Sequence, residues 1–174
     1  MAKLPLKVVP SVVAVHGIDP IADAQVAQGD DYEAILIKAV GDRLAEALAE
    51  WLHQKVRRET WGYASDESLN NEALIKEQYQ GIRPAPGYPA CPDHLDKKQI
   101  WSLLKAEDTI GARLTENLAM QPASAVSGYY FAHPESRYLG VGLIADDQIS
   151  DLAQRRNLSL VSMKRWLSAN LLDA

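Results

Sequence analysis

The stretch Arg83-Pro-Ala-Pro-Gly-Tyr88 is where this sequence concentrates groups that could meet a ligand. A guanidinium presents parallel N–H donors that fit a carboxylate. Gly87 allows a bound molecule close to the backbone, and Tyr88 adds a ring. Four prolines between Arg83 and Pro92 fix the remaining N–H and C=O groups, which lowers the ordering cost of binding. On the residues alone, a plainer account exists: a loop that wraps a sheet edge, with Arg83 salt-bridged locally. Asp42, Glu46 and Glu50 recur at four-residue steps on one helix face. Such a face is either a solvated acidic stripe or one turned toward a cationic or hydroxyl-rich ligand. Cys91 and His94 lack any nucleophile signature, and an isolated cysteine reads as a small buried apolar group, so a hydrolase built on it is set aside. His16, His53, His94 and His133 show no paired spacing for zinc, and no metal is expected. Gly140 and Gly142 lack the third glycine of a phosphate loop and read instead as places where a strand or a ligand approaches closely.

These residues need elements to position them. Ile35, Leu36, Val40, Leu44, Leu48, Trp51 and Leu52 recur at helical steps, with Asp30 and Asp31 before them and Lys55, Arg57 and Arg58 after, which predicts a long helix over residues 31–60. A short helix is expected behind Asn70 or Asn71, and another over Asp96 to Leu104. The Arg83–Pro92 loop lies between them. Residues 114–119 and 125–132 read as strands, and 138–144 as the return strand of a hairpin turning at His133-Pro-Glu-Ser-Arg137. Helices follow over about 146–156 and from Ser159 onward. Leu6 to Val15 is strand-like, with Pro10 suited only to an edge, and Ile21 to Gly29 suggests a short helix. This order is α+β rather than a parallel array.

Composition narrows the function classes. The 174 residues suit one domain, and 18 Lys+Arg against 23 Asp+Glu leave a net charge of −5, which opposes nucleic-acid binding. The single cysteine permits no internal disulfide and fits a reducing, cytoplasmic setting. No apolar run is long enough for a membrane span, and no secretory leader is evident.

The string YQGIRPAPGYPACPDH (Tyr79 to His94) resembles the binding motif of the reactivation, or activation, domain of cobalamin-dependent methionine synthase. The resemblance extends to DDYEAILIKAVGDRLAEALAEWLH (Asp30 to His53), SGYYFAHPESRYLGVG (Ser127 to Gly142) and DQISDLAQRRN (Asp147 to Asn157), and so covers about Asp30 to Leu171. It implies an antiparallel sheet with a long helix and C-terminal helices packed against it. Residues 30–174 would form the C-terminal part of that domain, while its N-terminal half is missing and residues 1–29 have no assigned role. It further implies S-adenosylmethionine as ligand. Arg83 would take the ligand carboxylate, Ala85, Gly87 and Tyr88 would offer loop groups, Tyr138 and Leu139 would flank it, Glu46 would face the ribose hydroxyls, and Glu77 would add negative charge nearby. The family's partner for the ligand's amino group lies in the missing half. The implied function is reductive methylation of cob(II)alamin within 5-methyltetrahydrofolate–homocysteine methyltransferase. Cobalamin would be held by a partner domain, an electron would come from flavodoxin or a related reductase, and no catalytic residue lies on this chain. The alternative is a docking module for those partners without ligand binding of its own, and self-association is a further expectation.

Overall fold

The computed structural model describes residues 8–172. Strand β1 (Val8–Ala14) pairs antiparallel with β4 (Ala125–Phe131), in a register that sets Val8 against Phe131 and Ala14 against Ala125. Leu6 and Lys7 of the expected strand lie outside the described residues. The Tyr129 amide donates away from β1, to the Pro84 carbonyl at 3.0 Å, so Pro10 opposite it occupies a non-hydrogen-bonded pair. Its missing N–H therefore faces the outer edge of the sheet, where a proline is tolerated.

Helix α1 (Ile18–Ala27) begins earlier than the expected Ile21, because Pro20 falls in its first turn, where no N–H is needed. Helix α2 (Asp31–Lys55) is capped by Asp30, whose carboxylate accepts from the Glu33 amide at 2.9 Å, and it widens into a π turn over Val56–Thr60. The expected span of 31–60 is observed, but its inward face is a surprise. The buried residues are Ala34, Gly41, Ala45, Ala49 and His53, whereas Ile35 is 65% exposed, Val40 58% and Trp51 54%. Close approach explains the inversion: a Cβ on Gly41 would lie 2.5 Å from Ser124 Oγ and 2.9 Å from the Ile18 side chain. Small residues let α2 sit tightly on α1 and the sheet, and the larger apolar side chains point outward.

Helix α3 (Asn71–Ile75) is capped by Asn70, α4 spans Asp96–Leu104 and α5 spans Ala106–Ile110. The expected strand at 114–119 is reduced to a two-residue ladder between β2 (Arg113–Leu114) and β3 (Met120–Gln121), because Leu118 turns the chain at φ 62°. Helices α6 (Asp146–Arg155) and α7 (Leu160–Trp166) close the chain. Their Ile149, Ala153 and Met163 form one core with Leu95, Leu118 and Ile144, while Ile100, Trp101, Ala106 and Ala112 form a second against the sheet.

One element differs outright. Residues 138–144 are not the return strand of a hairpin with 125–132, since β4 is flanked by β1 on one edge and by Ile82–Pro84 on the other. The 138–141 segment finds its partners in the proline-rich loop instead: Val141 N donates to Pro89 O at 2.8 Å, and Tyr138 Oη accepts from the Arg83 amide at 3.0 Å.

Candidate functional site

The proline-rich loop is pinned to β4 like a short extra strand. Tyr129 N donates to Pro84 O, Phe131 N to Ile82 O and Ile82 N to Phe131 O, each at 3.0 Å. Two glycines permit this. A Cβ on Gly128 would lie 2.7 Å from the Pro84 carbonyl oxygen, and Gly87 holds φ at +99° with the His94 ring against it. The loop then closes on itself through Gly87 N to Cys91 O (2.7 Å) and Cys91 N to Tyr88 O (2.8 Å).

A groove of about 510 Å³ results. Its walls are Glu46 and Ala49 from α2, loop residues between Arg83 and Ala90, Val126 from β4, and Tyr138 to Gly140. Six of the residues expected at a site, Glu46, Arg83, Ala85, Tyr88, Tyr138 and Leu139, line this one groove. The other two do not. Gly87 lies against the His94 ring, and Glu77, at φ 51°, stands 4.0 Å from an Arg83 nitrogen outside the groove wall. The acidic stripe of α2 divides into three separate roles. Asp42 accepts from Ser124 Oγ at 3.1 Å, Glu46 pairs with Arg43 at 2.8 Å on the surface, and Glu50 pairs with Arg83 Nη2 at 2.6 Å.

Behind Arg83 lies a buried polar cluster that pattern reading did not assign. The Arg83 Nη1 group donates to Tyr79 Oη and lies 3.5 Å from His53 Nδ1. The Tyr79 ring also meets Arg57, whose guanidinium stands 3.9 Å from the ring centroid. Arg57 is fully buried and bonds both oxygens of Glu67, at 2.6 and 2.7 Å. His53 stacks on Tyr130 with ring centres 4.6 Å apart. Nothing in the spacing of single residues pairs position 57 with 67 or 53 with 130, because each contact is made by the fold.

The electrostatics of the cluster are consistent. Burial, then the Arg57 and Arg83 charges, hold the His53 imidazole down at about 3, so it is neutral near pH 7. Burial pushes the Tyr79 and Tyr138 phenols upward, which keeps both as neutral hydroxyls. Burial also raises the Cys91 thiol to about 11, with the Asp96 and Asp93 charges adding to it, so little thiolate exists at neutral pH and a packing role stands. Among the described residues no group of three or more His, Cys, Asp or Glu side chains could hold a metal ion, and no helix is long and apolar enough to cross a membrane.

The His53 shift has a sign that can be checked. Its folded-state value lies below the ordinary 6.5, so between pH 6.5 and about 3 the unfolded chain binds the extra proton. Stability from this group is complete above pH 6.5 and falls on acidification by roughly 1.4 kcal/mol per unit, about 2 kcal/mol by pH 5. Urea unfolding at pH 7 and pH 5 should show that loss, and His53→Phe should remove most of the difference between the two. An unchanged pH dependence in the variant would mean that other groups carry it.

With this geometry in place, two comparisons become informative. The family model for the vitamin B12 dependent methionine synthase activation domain matches residues 9–157. The chain belongs to this family. A crystal structure of the MetH reactivation domain bound to AdoHcy (S-adenosylhomocysteine) superimposes with a TM-score of 0.88 at 54% sequence identity. The match covers 90% of this chain and 48% of that one, so this activation-domain chain spans about half the length of its relative. The α+β architecture is thereby that of the reactivation domain.

Proposed function

We propose that this chain binds S-adenosylmethionine, and its product S-adenosylhomocysteine, in the groove, and so serves as the methyl-donor site for reductive reactivation of cobalamin in methionine synthase. The observation that carries the reading is the donor set of one groove. It joins a guanidinium, Arg83, to a carboxylate, Glu46, between apolar walls from Ala49, Pro84, Pro89, Val126 and Leu139. That is the chemistry of an α-amino acid joined to a nucleoside: a carboxylate for the fork, a ribose diol for the acid, and apolar surface for the base. Loop backbone at Ala85 and the rings of Tyr88 and Tyr138 complete the wall, and Glu77 contributes negative potential near a sulfonium. The volume falls within the range of ligand pockets, roughly 300–1,000 Å³.

The residues of this chain bind and orient, and none needs to move a proton. Burial lowers the basicity of His53 and His94 and holds Cys91 as a thiol, and none of the three lines the groove. Cobalamin, which the proposal places on another domain, supplies the nucleophile that accepts the methyl group. What remains for this chain is to hold the methyl carbon in line for attack. The proposal includes contact with the cobalamin-bearing domain and a flavodoxin-type reductase, in a cytoplasmic setting. A docking-only module is the second reading. The exposed apolar side chains of α2 favour it, and they also make self-association a reasonable expectation.

Titration calorimetry with S-adenosylmethionine, S-adenosylhomocysteine and adenosine tests the binding reading. The two amino-acid nucleosides should bind and adenosine should bind more weakly. Arg83→Ala should weaken the first two by at least about tenfold, with Arg83→Lys recovering only part, since a point charge lacks the fork. Absence of binding to all three would leave the docking reading.

A further inference from the structure

The guanidinium in the groove is held from outside the groove. Arg83 Nη2 sits 2.6 Å from Glu50 Oε2, and Nη1 donates to Tyr79 Oη, while Glu50 contributes nothing to the groove wall. Arg83 is the one cation paired with Glu50 among the described residues, and the second oxygen, Glu50 Oε1, is buried without a partner. A half-satisfied carboxylate of this kind costs the fold free energy, and a hydrophobic residue there would pack without that cost. Costly polar groups of this sort gather at functional sites. Glu77 does not share the task, for it is 4.0 Å from Arg83 and 44% exposed.

We propose that Glu50 is a positioning residue for ligand carboxylate recognition: it fixes the plane of the Arg83 guanidinium that lines the groove. The inference rests on the binding reading above. Three features support it together. The two terminal nitrogens of Arg83 are engaged by different elements, Glu50 of α2 and Tyr79 of the loop approach. Tyr79 is itself backed by the buried Arg57–Glu67 pair, so one side of the clamp is rigid. His53, 3.5 Å from Nη1, is neutral and so does not repel the arginine. Without Glu50, the close contacts that remain are on Nη1, with only the exposed Glu77 at 4.0 Å from Nη2, and the plane is freer to turn about Nη1. A fork loses its bidentate geometry under such a rotation, whereas a simple positive charge would not.

The test uses Glu50→Met, which keeps the side chain's length but offers Arg83 no acceptor, in the 174-residue chain. Two readouts are needed. In the ligand-free protein, nitrogen NMR of the Arg83 side chain should show slow rotation about Nε–Cζ in the wild type and averaged signals in the variant. In titrations, the variant should lose roughly tenfold in affinity for S-adenosylhomocysteine and nothing for its carboxyl methyl ester, which makes no use of the fork. Glu50→Asp should not restore binding, since its carboxylate is withdrawn by one methylene. Equal losses for acid and ester would mean that Glu50 serves the fold in general. A tighter acid complex would mean that Glu50 competes with the ligand for Arg83. Either result, or unchanged affinity, overturns the proposal. If the wild type binds neither compound, the binding reading fails, and the NMR comparison still decides whether Glu50 immobilises Arg83.

Discussion

Arg57→Ala is expected to lower the free energy of unfolding by about 3–5 kcal/mol, the cost of breaking a buried ion pair by removing one partner. The side chains of Arg57 and Glu67 are 0% and 5% exposed, joined by two bonds of 2.6 and 2.7 Å. Truncating Arg57 strands the Glu67 carboxylate away from water and removes the cation that lies 3.9 Å from the Tyr79 ring. Glu67→Gln should cost less than this, because an amide oxygen can still accept from the guanidinium. The pair is not irreplaceable as a source of stability, since Arg57 Nη1 already lacks a partner. Replacing both residues by apolar ones, Arg57→Met with Glu67→Leu, should recover most of the loss. Urea unfolding of the four proteins checks this, and a double variant no more stable than Arg57→Ala would show that shape, not charge balance, fixes the site. The Arg83 region should be perturbed in Arg57→Ala even where the fold survives, because Tyr79 loses its backing.

The reach and the limits of pattern reading both show in α2. Its span is legible because apolar side chains recur at helical steps and because Asp30 caps it. Its orientation is not. Periodicity finds a stripe of large apolar residues and assigns it to the core, whereas the packed face is Ala34, Gly41, Ala45 and Ala49. Small residues carry little apolar weight, yet close packing on Ile18 and Ser124 requires them.

The hairpin misreading has a different origin. Residues 138–144 have strand-like composition, and the turn residues before them fit a reversal, but register is decided by which edge is free. Both edges of β4 are taken, by β1 from over a hundred residues upstream and by Ile82–Pro84. Long-range pairing of that kind leaves no local signal. The proline-rich loop, by contrast, was legible, because four prolines and a glycine dictate a shaped segment in any context. The wall residues Arg83, Ala85 and Tyr88 follow from it. The cluster behind Arg83 is not legible, because Glu50, His53 and Arg57 reach Arg83 and Tyr79 from α2 and its π turn, contacts that only the fold makes.

The last expected result follows from that loop and bears on the site more than on the fold. Gly128→Val should reduce affinity for S-adenosylhomocysteine by roughly ten- to a hundredfold, the order of loss when one charge-assisted hydrogen bond at the Arg83 fork is no longer made. The reason is spatial rather than conformational. A Cβ at position 128 would stand 2.7 Å from the Pro84 carbonyl oxygen and 3.7 Å from Ala85 Cα, so any side chain must push the loop off the strand. The pushed atoms are backbone, with no rotamer to yield. The displaced carbonyl is the acceptor for the Tyr129 amide, and the displaced residues carry Arg83 on one side and Ala85 on the other. Loss of stability should stay within about 1–3 kcal/mol, the usual cost of overpacking, because β1 and β4 keep their own ladder. Gly128→Ala should show the same pattern at smaller size. The check is a pair of measurements on each variant, urea unfolding and titration with S-adenosylhomocysteine at a urea-free condition where both remain folded. A variant that is destabilised yet binds like the wild type would show that the loop's attachment to β4 does not set the groove. A folded variant with affinity lost shows that the short third strand holds the ligand-facing residues in place.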